Sequence, residues 1–240
     1  MIIWKHSPAD LYDKENIGYR ELFYLGIGMA SEIVVITELD RIKWYEYIDK
    51  VIFIPNMLTL IPEQKKISDL KQKRLLFCRR IDYKHKGIDR LLTIFKHVSE
   101  LGWELVIVGA GKDTKRLKNE LKEISNIRHI EASSHEELHE YYSTSSIFLH
   151  TSRYEGFGLV ITEAMAFGLP VISFETTGSE EILAWKYGVL LPQNDLERYV
   201  AELKILMLSI EKRKVWQSKS LQRSKEYLPE RILKKWEDIL

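Results

Sequence analysis

Short apolar runs alternate with longer amphipathic segments along most of the chain, as in proteins that alternate strands with helices. The apolar runs predict strands at residues 1–4, 32–37, 51–54, 74–78, 104–108, 127–131, 146–149, 171–174 and 188–191. The amphipathic segments predict helices at residues 19–30, 38–47, 88–101, 114–124, 135–142, 159–167, 178–185 and 196–209. This alternation predicts an α/β fold with parallel sheets.

Two such series are separated by a polar, lysine-rich segment, residues 58–73, which the pattern indicates to be a linker. The first series, residues 1–57, is too short for an independent core of this kind and is expected to dock on another part of the protein. The second series, residues 74–222, predicts a doubly wound sheet, in which ligands bind at the carboxyl ends of the strands. Residues 223–240 predict a charged C-terminal helix.

The stretch between residues 150 and 175 predicts a strand, a glycine-punctuated loop, a helix and a second strand. Gly156 and Gly158 lack a Cβ, so a ligand can approach the backbone closely. The helix that follows presents free N–H groups and its positive dipole end at the same place, which favours an anion. Glu155 and Glu163 bracket this position. In a functional interpretation, a glutamate here accepts hydrogen bonds from sugar hydroxyls. In the simpler interpretation, Glu155 caps the helix and Glu163 faces solvent. Spacing alone does not decide between these interpretations.

Composition excludes several classes of protein. The formal net charge is +1 over 240 residues, so no overall field attracts nucleic acid. The single cysteine, Cys78, excludes an internal disulfide and lies in an apolar run, which indicates a core position in a reduced compartment. No apolar run approaches the roughly 20 residues that a membrane-spanning helix needs.

The long pattern Glu155-Gly-Phe-Gly-Leu-x3-Glu163-Ala-x-Ala-x-Gly-x-Pro-Val resembles the Glu-x7-Glu signature of the retaining family-4 glycosyltransferases. Those enzymes have the GT-B fold, in which a doubly wound donor domain faces an acceptor-side domain. The resemblance covers nearly the whole chain. It implies that residues 1–57 are only the last portion of the N-terminal domain. The chain is therefore expected to be a fragment, a truncated product or one half of a two-chain enzyme.

The resemblance selects two cations in the loop at residues 79–87. The segment Arg-x-Asp-x3-Lys-Gly is similar to the family's loop that grips the donor diphosphate, which identifies Arg80 and Lys86. Arginine offers phosphate a planar fork and lysine offers a compact point charge. The family usually has glycine before this arginine, whereas Arg79 stands there, so the loop is expected to differ locally. Without the resemblance, these basic residues are equally well explained as solvated loop positions.

Further site residues follow from the same resemblance. Glu163 is expected to accept the two ribose hydroxyls, and Glu155 is expected near the donor sugar. His6 follows the first predicted strand and matches a family histidine close to that sugar, although by itself it reads as a surface histidine. The remaining expected donor contacts are Gly109, Ser133, Gly156, Phe157, Gly158 and Leu159. For Gly109, a tight turn after a strand is the simpler interpretation.

The resemblance implies a hexosyl-type glycosyltransferase that uses a UDP-, GDP- or ADP-sugar, retains anomeric configuration and acts on a glycan or lipid-linked acceptor. Capsule, lipopolysaccharide or other surface polysaccharide assembly is the expected setting. No metal or other cofactor is expected, and the expected location is the cytoplasm, with peripheral contact to the inner membrane face as a hypothesis. Two alternatives remain: a non-catalytic nucleotide-sugar-binding fragment or subunit that needs a partner chain, and, ranked lower, a nucleotide-sugar epimerase.

Overall fold

Two parallel sheets form the framework of the protein. The computed structural model describes residues 2–6, 25–63, 66–131 and 134–240. The smaller sheet has three strands, β1 (Ile2–Lys5), β2 (Glu32–Val35) and β3 (Val51–Phe53), in that order across the sheet. Helix α1 (Glu38–Trp44) lies between β2 and β3 in the chain and begins at Thr37, whose side chain accepts a hydrogen bond from the Asp40 N–H.

The larger sheet has six parallel strands. They are β4 (Arg74–Cys78), β5 (Glu104–Val108), β6 (Ile127–Ile130), β7 (Ile147–His150), β8 (Val171–Phe174) and β9 (Val189–Leu191). Their order across the sheet is β6-β5-β4-β7-β8-β9, so the winding direction reverses between β4 and β7. Ligands of doubly wound sheets bind in the crevice at such a reversal. The loops that follow β4 and β7 therefore frame the candidate site.

Helices cover both faces of the larger sheet. They are α2 (Tyr83–Lys86), α3 (Ile88–Lys96), α4 (Thr114–Glu120), α5 (His135–Ser143), α6 (Leu159–Ala166), α7 (Thr177–Leu183), α8 (Leu196–Leu208) and α9 (Ile210–Ser224). A further helix, α10 (Pro229–Glu237), follows α9. Residues alternate between the two faces of each strand, so Leu75 and Phe77 enter one core and Leu76 and Cys78 enter the other. Within the described ranges, none of these helices is both long and apolar enough to span a bilayer.

All the strands that the apolar runs predict are present, with ends that differ by one or two residues. The segment at residues 79–87, which the sequence predicts to be a loop, also contains the short helix α2. Asp82 begins this helix by accepting a hydrogen bond from the His85 N–H, and Gly87 ends it at φ 67°. Of the helix predicted at residues 19–30, residues 25–28 are helical, and residues 19–24 lie outside the described part of the chain.

The segment predicted as a linker packs closely on the larger domain. Leu58, Leu60 and Leu70 are buried, and the Leu58 N–H donates to the Tyr227 carbonyl at 2.7 Å. The Arg213 guanidinium donates through Nε and Nη2 to the Leu70 carbonyl. The segment is therefore polar in composition but fixed in position. The domain boundaries stay predictions, and the one placed at residue 222 falls within α9.

The C-terminal helix α10 packs against the smaller sheet. Ile232 shares a buried cluster with Val34 and Ile54, and the Trp236 ring meets the Trp4 ring edge-on at 5.1 Å. The chain thus leaves the larger domain through α9 and returns to the first three strands through α10.

The carboxyl edges of the two sheets face each other. Helix α1 follows β2, and helix α7 follows β8. The Glu38 N–H at the start of α1 donates to Glu181 Oε2 on α7 at 2.8 Å. Because both helices begin at the carboxyl ends of their strands, this contact brings the two edges together, and the candidate site lies on that side of the larger sheet.

Candidate functional site

A buried charge cluster lies where the loops after β4 and β7 meet. Glu155 Oε2 accepts hydrogen bonds from Arg79 Nη1 and, at 2.8 Å, from Lys86 Nζ. His150 Nε2 lies 4.0 Å from the same oxygen. The side chains of Arg79, Lys86 and Glu155 are 5%, 15% and 15% exposed, so they interact largely out of water. We refer to these four residues as the Glu155 cluster.

The charges in the Glu155 cluster do not cancel. Burial alone would raise the pKa of Glu155, but Arg79 and Lys86 together hold the pKa of its carboxyl group below its ordinary value. Burial and the neighbouring positive charge of Arg79 lower the pKa of Lys86, although the carboxylate of Glu155 acts to raise it. Two cations and one carboxylate leave an excess positive charge in a buried setting. An anion that entered here would be strongly stabilised, because water screens it poorly.

Three atoms of the cluster are buried and have no hydrogen-bond partner among the residues that the structure describes. They are Nε and Nη2 of Arg79 and Nε2 of His150, and the hydroxyl oxygen of the adjacent Ser152 is in the same state. Buried polar atoms are nearly always paired in folded proteins, so each such atom needs an explanation. Unpaired guanidinium N–H groups beside an excess positive charge are the donors that a bound phosphate requires.

His150, the last residue of β7, is fully buried and is expected to be neutral. Its Nδ1 lies 2.7 Å from Ser173 Oγ, and its backbone N–H donates to the Tyr199 hydroxyl at 3.3 Å. Burial, with Arg79 and Lys86 nearby, holds the pKa of His150 well below its ordinary value. A neutral imidazole adds no further positive charge to the cluster and leaves its second nitrogen available for a hydrogen bond.

The depressed pKa of His150 predicts acid sensitivity that begins below pH 6.5. The unfolded chain takes up a proton there that the folded protein does not, so stability is present above pH 6.5 and falls as the pH decreases. The expected contribution approaches about 1.4 kcal/mol per pH unit. Urea unfolding between pH 7.5 and 5 measures the slope. His150→Gln should flatten it, and an equal slope in both proteins would contradict the assignment.

Glu163 lies in α6, where two hydroxyl groups hold its carboxylate. Tyr142, fully buried on α5, donates to Oε2 at 3.1 Å, and Thr59 in the segment before β4 donates to Oε1 at 2.6 Å. Glu163 is half-buried, so it is neither a helix cap nor a freely solvated side chain. An acceptor-only carboxylate that already binds two hydroxyl groups has the chemistry needed to bind those of a pentose.

The start of α6 is open towards the site. Gly158 begins this helix at φ 98°, a conformation that favours glycine, and no side chain caps the first turn. Phe157 is buried beneath it, while Gly156 is half-buried in the preceding loop and Leu159 is the first helical residue. The uncapped N–H groups and the helix dipole favour a negative charge at this end. The loop and helix start that the sequence predicts are thus present.

The loop that follows β7 packs against the first turn of α7. The Gly178 N–H donates to the Glu155 carbonyl at 3.1 Å, and a Cβ at Gly178 would lie 1.8 Å from the Phe157 carbonyl oxygen. Thr176 begins α7 with a capping box that it forms with Ser179. The loop with Glu155 therefore rests directly on Gly178 at the start of α7.

Gly109 and Gly111 allow the β4 and β5 loops to pack backbone against backbone. A Cβ at Gly109 would lie 2.0 Å from the Arg79 carbonyl oxygen, and one at Gly111 would lie 2.3 Å from that of Ile81. The Ile81 N–H in turn donates to the Ala110 carbonyl. This packing explains why both positions are glycine, in line with the structural interpretation of Gly109 as a turn residue. A contact between Gly109 and the donor stays a prediction.

Three predicted site residues either make no hydrogen bond or ion pair with the Glu155 cluster among the described contacts or lie outside the described chain. Arg80 is exposed, and its guanidinium has no hydrogen bond to another described residue. His6 is exposed at the carboxyl end of β1, with its ring 4.2 Å from that of Trp4. Among the described contacts, no hydrogen bond or ion pair joins His6 to the cluster. Ser133 lies outside the described residues.

Sequence reasoning missed four residues that complete the site: Arg79, His150, Thr59 and Tyr142. The family pattern selects Arg80 in this loop, whereas Arg79 is the arginine that contacts Glu155 in the structure. A period of two along β4 was an available signal, because it places Arg79 on the same side as Phe77 and Leu75. No local signal points to Thr59, which meets Glu163 across 104 positions of sequence.

Known proteins resemble this chain in sequence over most of its length. The amylovoran biosynthesis glycosyltransferase AmsD of Erwinia amylovora is 32% identical over 238 residues, which cover 92% of this chain and 65% of AmsD. An uncharacterized glycosyltransferase of Haemophilus influenzae is 32% identical over 249 residues, covering 100% of this chain and 69% of that protein. The chain therefore spans about two thirds of the length of these relatives.

The fold is also shared with solved structures of GT-B glycosyltransferases. A mutant of S. aureus TarM, crystallised with fondaparinux, α-GlcNAc-glycerol and UDP, superposes with a TM-score of 0.81 at 19% identity. The match covers 99% of this chain and 49% of TarM, so this chain has the fold of part of a GT-B enzyme. The family model described as glycosyl transferases group 1 matches residues 61–223, which include the β4 loop, the Glu155 cluster and Glu163. The protein belongs to the group 1 glycosyl transferases.

Proposed function

We propose that this chain binds a nucleoside-diphosphate sugar at the Glu155 cluster and transfers the sugar to a glycan or lipid-linked acceptor with retention of anomeric configuration. The observation that carries the proposal is the buried excess of positive charge with unpaired Arg79 donors. Family membership supports the same reaction class. The name of the relative AmsD supports a role in polysaccharide assembly.

The diphosphate occupies the space between Lys86, Arg79 and the open start of α6. Before the donor binds, the Glu155 carboxylate neutralises part of the charge of both cations. The diphosphate oxygens then accept hydrogen bonds from the remaining Arg79 N–H groups and from the backbone N–H groups near Gly158. Arg80 is exposed on the same loop and reaches the outer phosphate oxygens. Fixed charges of this kind contribute most when charge develops on a leaving group.

Glu163 fixes the nucleoside half of the donor. Its carboxylate accepts hydrogen bonds from the two ribose hydroxyls, as it accepts them from the Tyr142 and Thr59 hydroxyls in the structure. Holding the ribose and the diphosphate at separate points orients the bond between the sugar and the phosphate, and such positioning lowers the barrier before any chemistry occurs.

The transfer breaks the bond between the anomeric carbon and the diphosphate oxygen, and that oxygen keeps the electron pair. The acceptor hydroxyl oxygen bonds to the anomeric carbon on the face that the diphosphate leaves, which gives retention. Its proton passes to the departing phosphate oxygen, the nearest base on that face. Glu155 lies under the donor sugar, and His6 approaches it from the smaller sheet. The protein cations take the place of a metal ion in this scheme.

A second possibility is that transfer requires a partner chain on the acceptor side. The name of a relative supports it, the GtfA subunit of a UDP-N-acetylglucosamine–peptide N-acetylglucosaminyltransferase of Streptococcus pneumoniae, which is 26% identical over 248 residues. The donor site is then present in this chain, while catalysis requires the complex. Peripheral attachment to the inner membrane face would bring a lipid-linked acceptor to the same site.

A thermal-shift panel of UDP, GDP and ADP tests the donor site. One of them is expected to raise the melting temperature, because a ligand at about 100 times its Kd stabilises the folded state by about 2.7 kcal/mol. The matching nucleotide sugar is then assayed for transfer with the chain alone and with cell extract. Transfer only with extract supports the partner-dependent form, and a retained anomer by NMR supports the mechanism. No stabilisation by any nucleotide, or an epimerised free sugar without acceptor, would refute the proposal.

A further inference from the structure

The two oxygens of the Glu163 carboxylate have different neighbours. Oε2 accepts from the Tyr142 hydroxyl, which is fully buried, and Oε1 accepts from the Thr59 hydroxyl, which belongs to an exposed residue. One oxygen is therefore held from the interior and the other is covered from the solvent side. A ligand that approaches Glu163 from solvent meets the Thr59 hydroxyl first.

Tyr142 is fixed by its aromatic neighbours. Its ring stacks on Phe167 at 5.2 Å and on Phe148 at 6.0 Å, with interplanar angles of 19° and 28°. Burial raises the pKa of Tyr142 well above its ordinary value, so its hydroxyl stays protonated and acts as a hydrogen-bond donor. A rigid donor behind Glu163 sets the plane of the carboxylate, as supporting hydrogen bonds do in other preorganised sites.

Thr59 is held in front of Glu163 by its own backbone. Leu58 and Leu60 on either side of it are buried, and the Leu58 N–H donates to the Tyr227 carbonyl. These contacts fix the backbone of Thr59, and its exposed side chain places the hydroxyl 2.6 Å from Oε1. Because a threonine hydroxyl and a ribose hydroxyl are the same kind of donor, the two compete for one carboxylate oxygen.

We propose that Tyr142 and Thr59 set the affinity of Glu163 for ribose in opposite directions, Tyr142 as a positioning residue and Thr59 as an internal competitor. This inference rests on the proposed function, in which Glu163 binds the ribose. Tyr142 orients the carboxylate for the incoming diol. Thr59 occupies Oε1 until the ribose hydroxyl displaces it, so donor binding breaks the hydrogen bond between Thr59 and Glu163.

Three variants and one pair of ligands test the proposal in the full chain. Titration calorimetry compares the nucleoside diphosphate that binds the wild-type protein with its 2′,3′-dideoxy analogue. Thr59→Val should bind the ribose form roughly three- to ten-fold more tightly, the value of one released hydrogen bond, and Thr59→Ser should match the wild type. Tyr142→Phe should bind it roughly three- to ten-fold more weakly. The control Thr93→Val changes an exposed threonine whose hydroxyl donates to the Asp89 carbonyl, and it should change nothing.

The dideoxy analogue separates positioning from general damage. It lacks the hydroxyls that reach Glu163, so its affinity should be the same in the wild type, Thr59→Val and Tyr142→Phe. Equal losses of both ligands in Tyr142→Phe would indicate a structural defect and overturn the positioning role. Unchanged or weaker ribose-form binding in Thr59→Val would overturn the competition. If the wild-type protein binds no nucleoside diphosphate, the proposed function and this inference fail together. If it binds both ligands equally, the Glu163 assignment and this inference fail while the diphosphate site stands.

Discussion

Gly178→Ala is expected to destabilise the protein by about 3 kcal/mol, the upper end of the usual cost of overpacking a core. The added Cβ would lie 1.8 Å from the Phe157 carbonyl oxygen and 2.3 Å from its carbon. Both atoms belong to the backbone, so no side-chain rotation can relieve the overlap. For a chain of this size the change corresponds to a decrease in melting temperature of roughly 6–12 °C, which calorimetry can measure.

The control for this prediction is Gly26→Ala, because no atom of the described residues lies within 4 Å of a Cβ at Gly26. Its melting temperature should equal that of the wild type or exceed it slightly. If the Gly178 variant relieves its clash by moving the loop at residues 155–158, nucleoside diphosphate affinity should fall as well. A variant with unchanged stability would show that the close contact between α7 and this loop is not present in solution.

The parts of the fold that depend on local sequence could be predicted. Most strands of the larger sheet are short, largely apolar runs, since helices cover the sheet on both faces. Helix α3 was predictable from its single apolar stripe, and the start of α6 from the glycines before it. Helix α2 was not predictable, because one turn of helix has no periodicity to detect. Its position depends on the Asp82 cap and on the left-handed conformation of Gly87.

The candidate site could be predicted only in part, because its side chains meet across long stretches of sequence. The sequence pattern located Lys86, Glu155 and Glu163, and the structure brings the first two into contact. It favoured Arg80 over Arg79 because the family pattern has one arginine in this loop. Which of two adjacent arginines contacts Glu155 depends on side-chain direction at the end of β4 and on the path of a loop 76 positions later. The period of two along β4 indicates the side-chain direction, but the path of the distant loop is not encoded in the local sequence.

The arrangement also explains why the site residues are held before any ligand binds. Glu155 neutralises part of the charge of two cations, and Thr59 fills one acceptor position of Glu163. Both are groups of the protein that resemble parts of the expected ligand, a carboxylate in place of phosphate and a hydroxyl in place of ribose. Each lowers the cost of leaving charged or polar groups unpaired in the free protein, and each weakens ligand binding by the same interaction.

Lys86→Ala is expected to weaken nucleoside diphosphate binding by about 2 kcal/mol, or roughly 30-fold, which is the value of one charge-assisted hydrogen bond. The variant should still fold, because Glu155 keeps its contact with Arg79 after the lysine is removed. What disappears is the excess positive charge of the cluster, and with it the attraction for an anion. Arg80→Ala is expected to cause a loss of similar size, because in the proposed complex its exposed guanidinium contacts the outer phosphate oxygens.

Lys84→Ala is the matched control, since Lys84 is an exposed lysine on the same helix α2 as Lys86. Titration calorimetry at one ionic strength compares the three variants with the wild type. Equal losses in Lys84→Ala and Lys86→Ala would mean that the loop attracts anions through its general charge, without a specific contact. Unchanged affinity in both Lys86→Ala and Arg80→Ala would remove the diphosphate from this loop. A loss confined to Lys86→Ala would instead leave Arg79 and Lys86 as the cations that receive the diphosphate, in keeping with the hydrogen bonds that both make to Glu155.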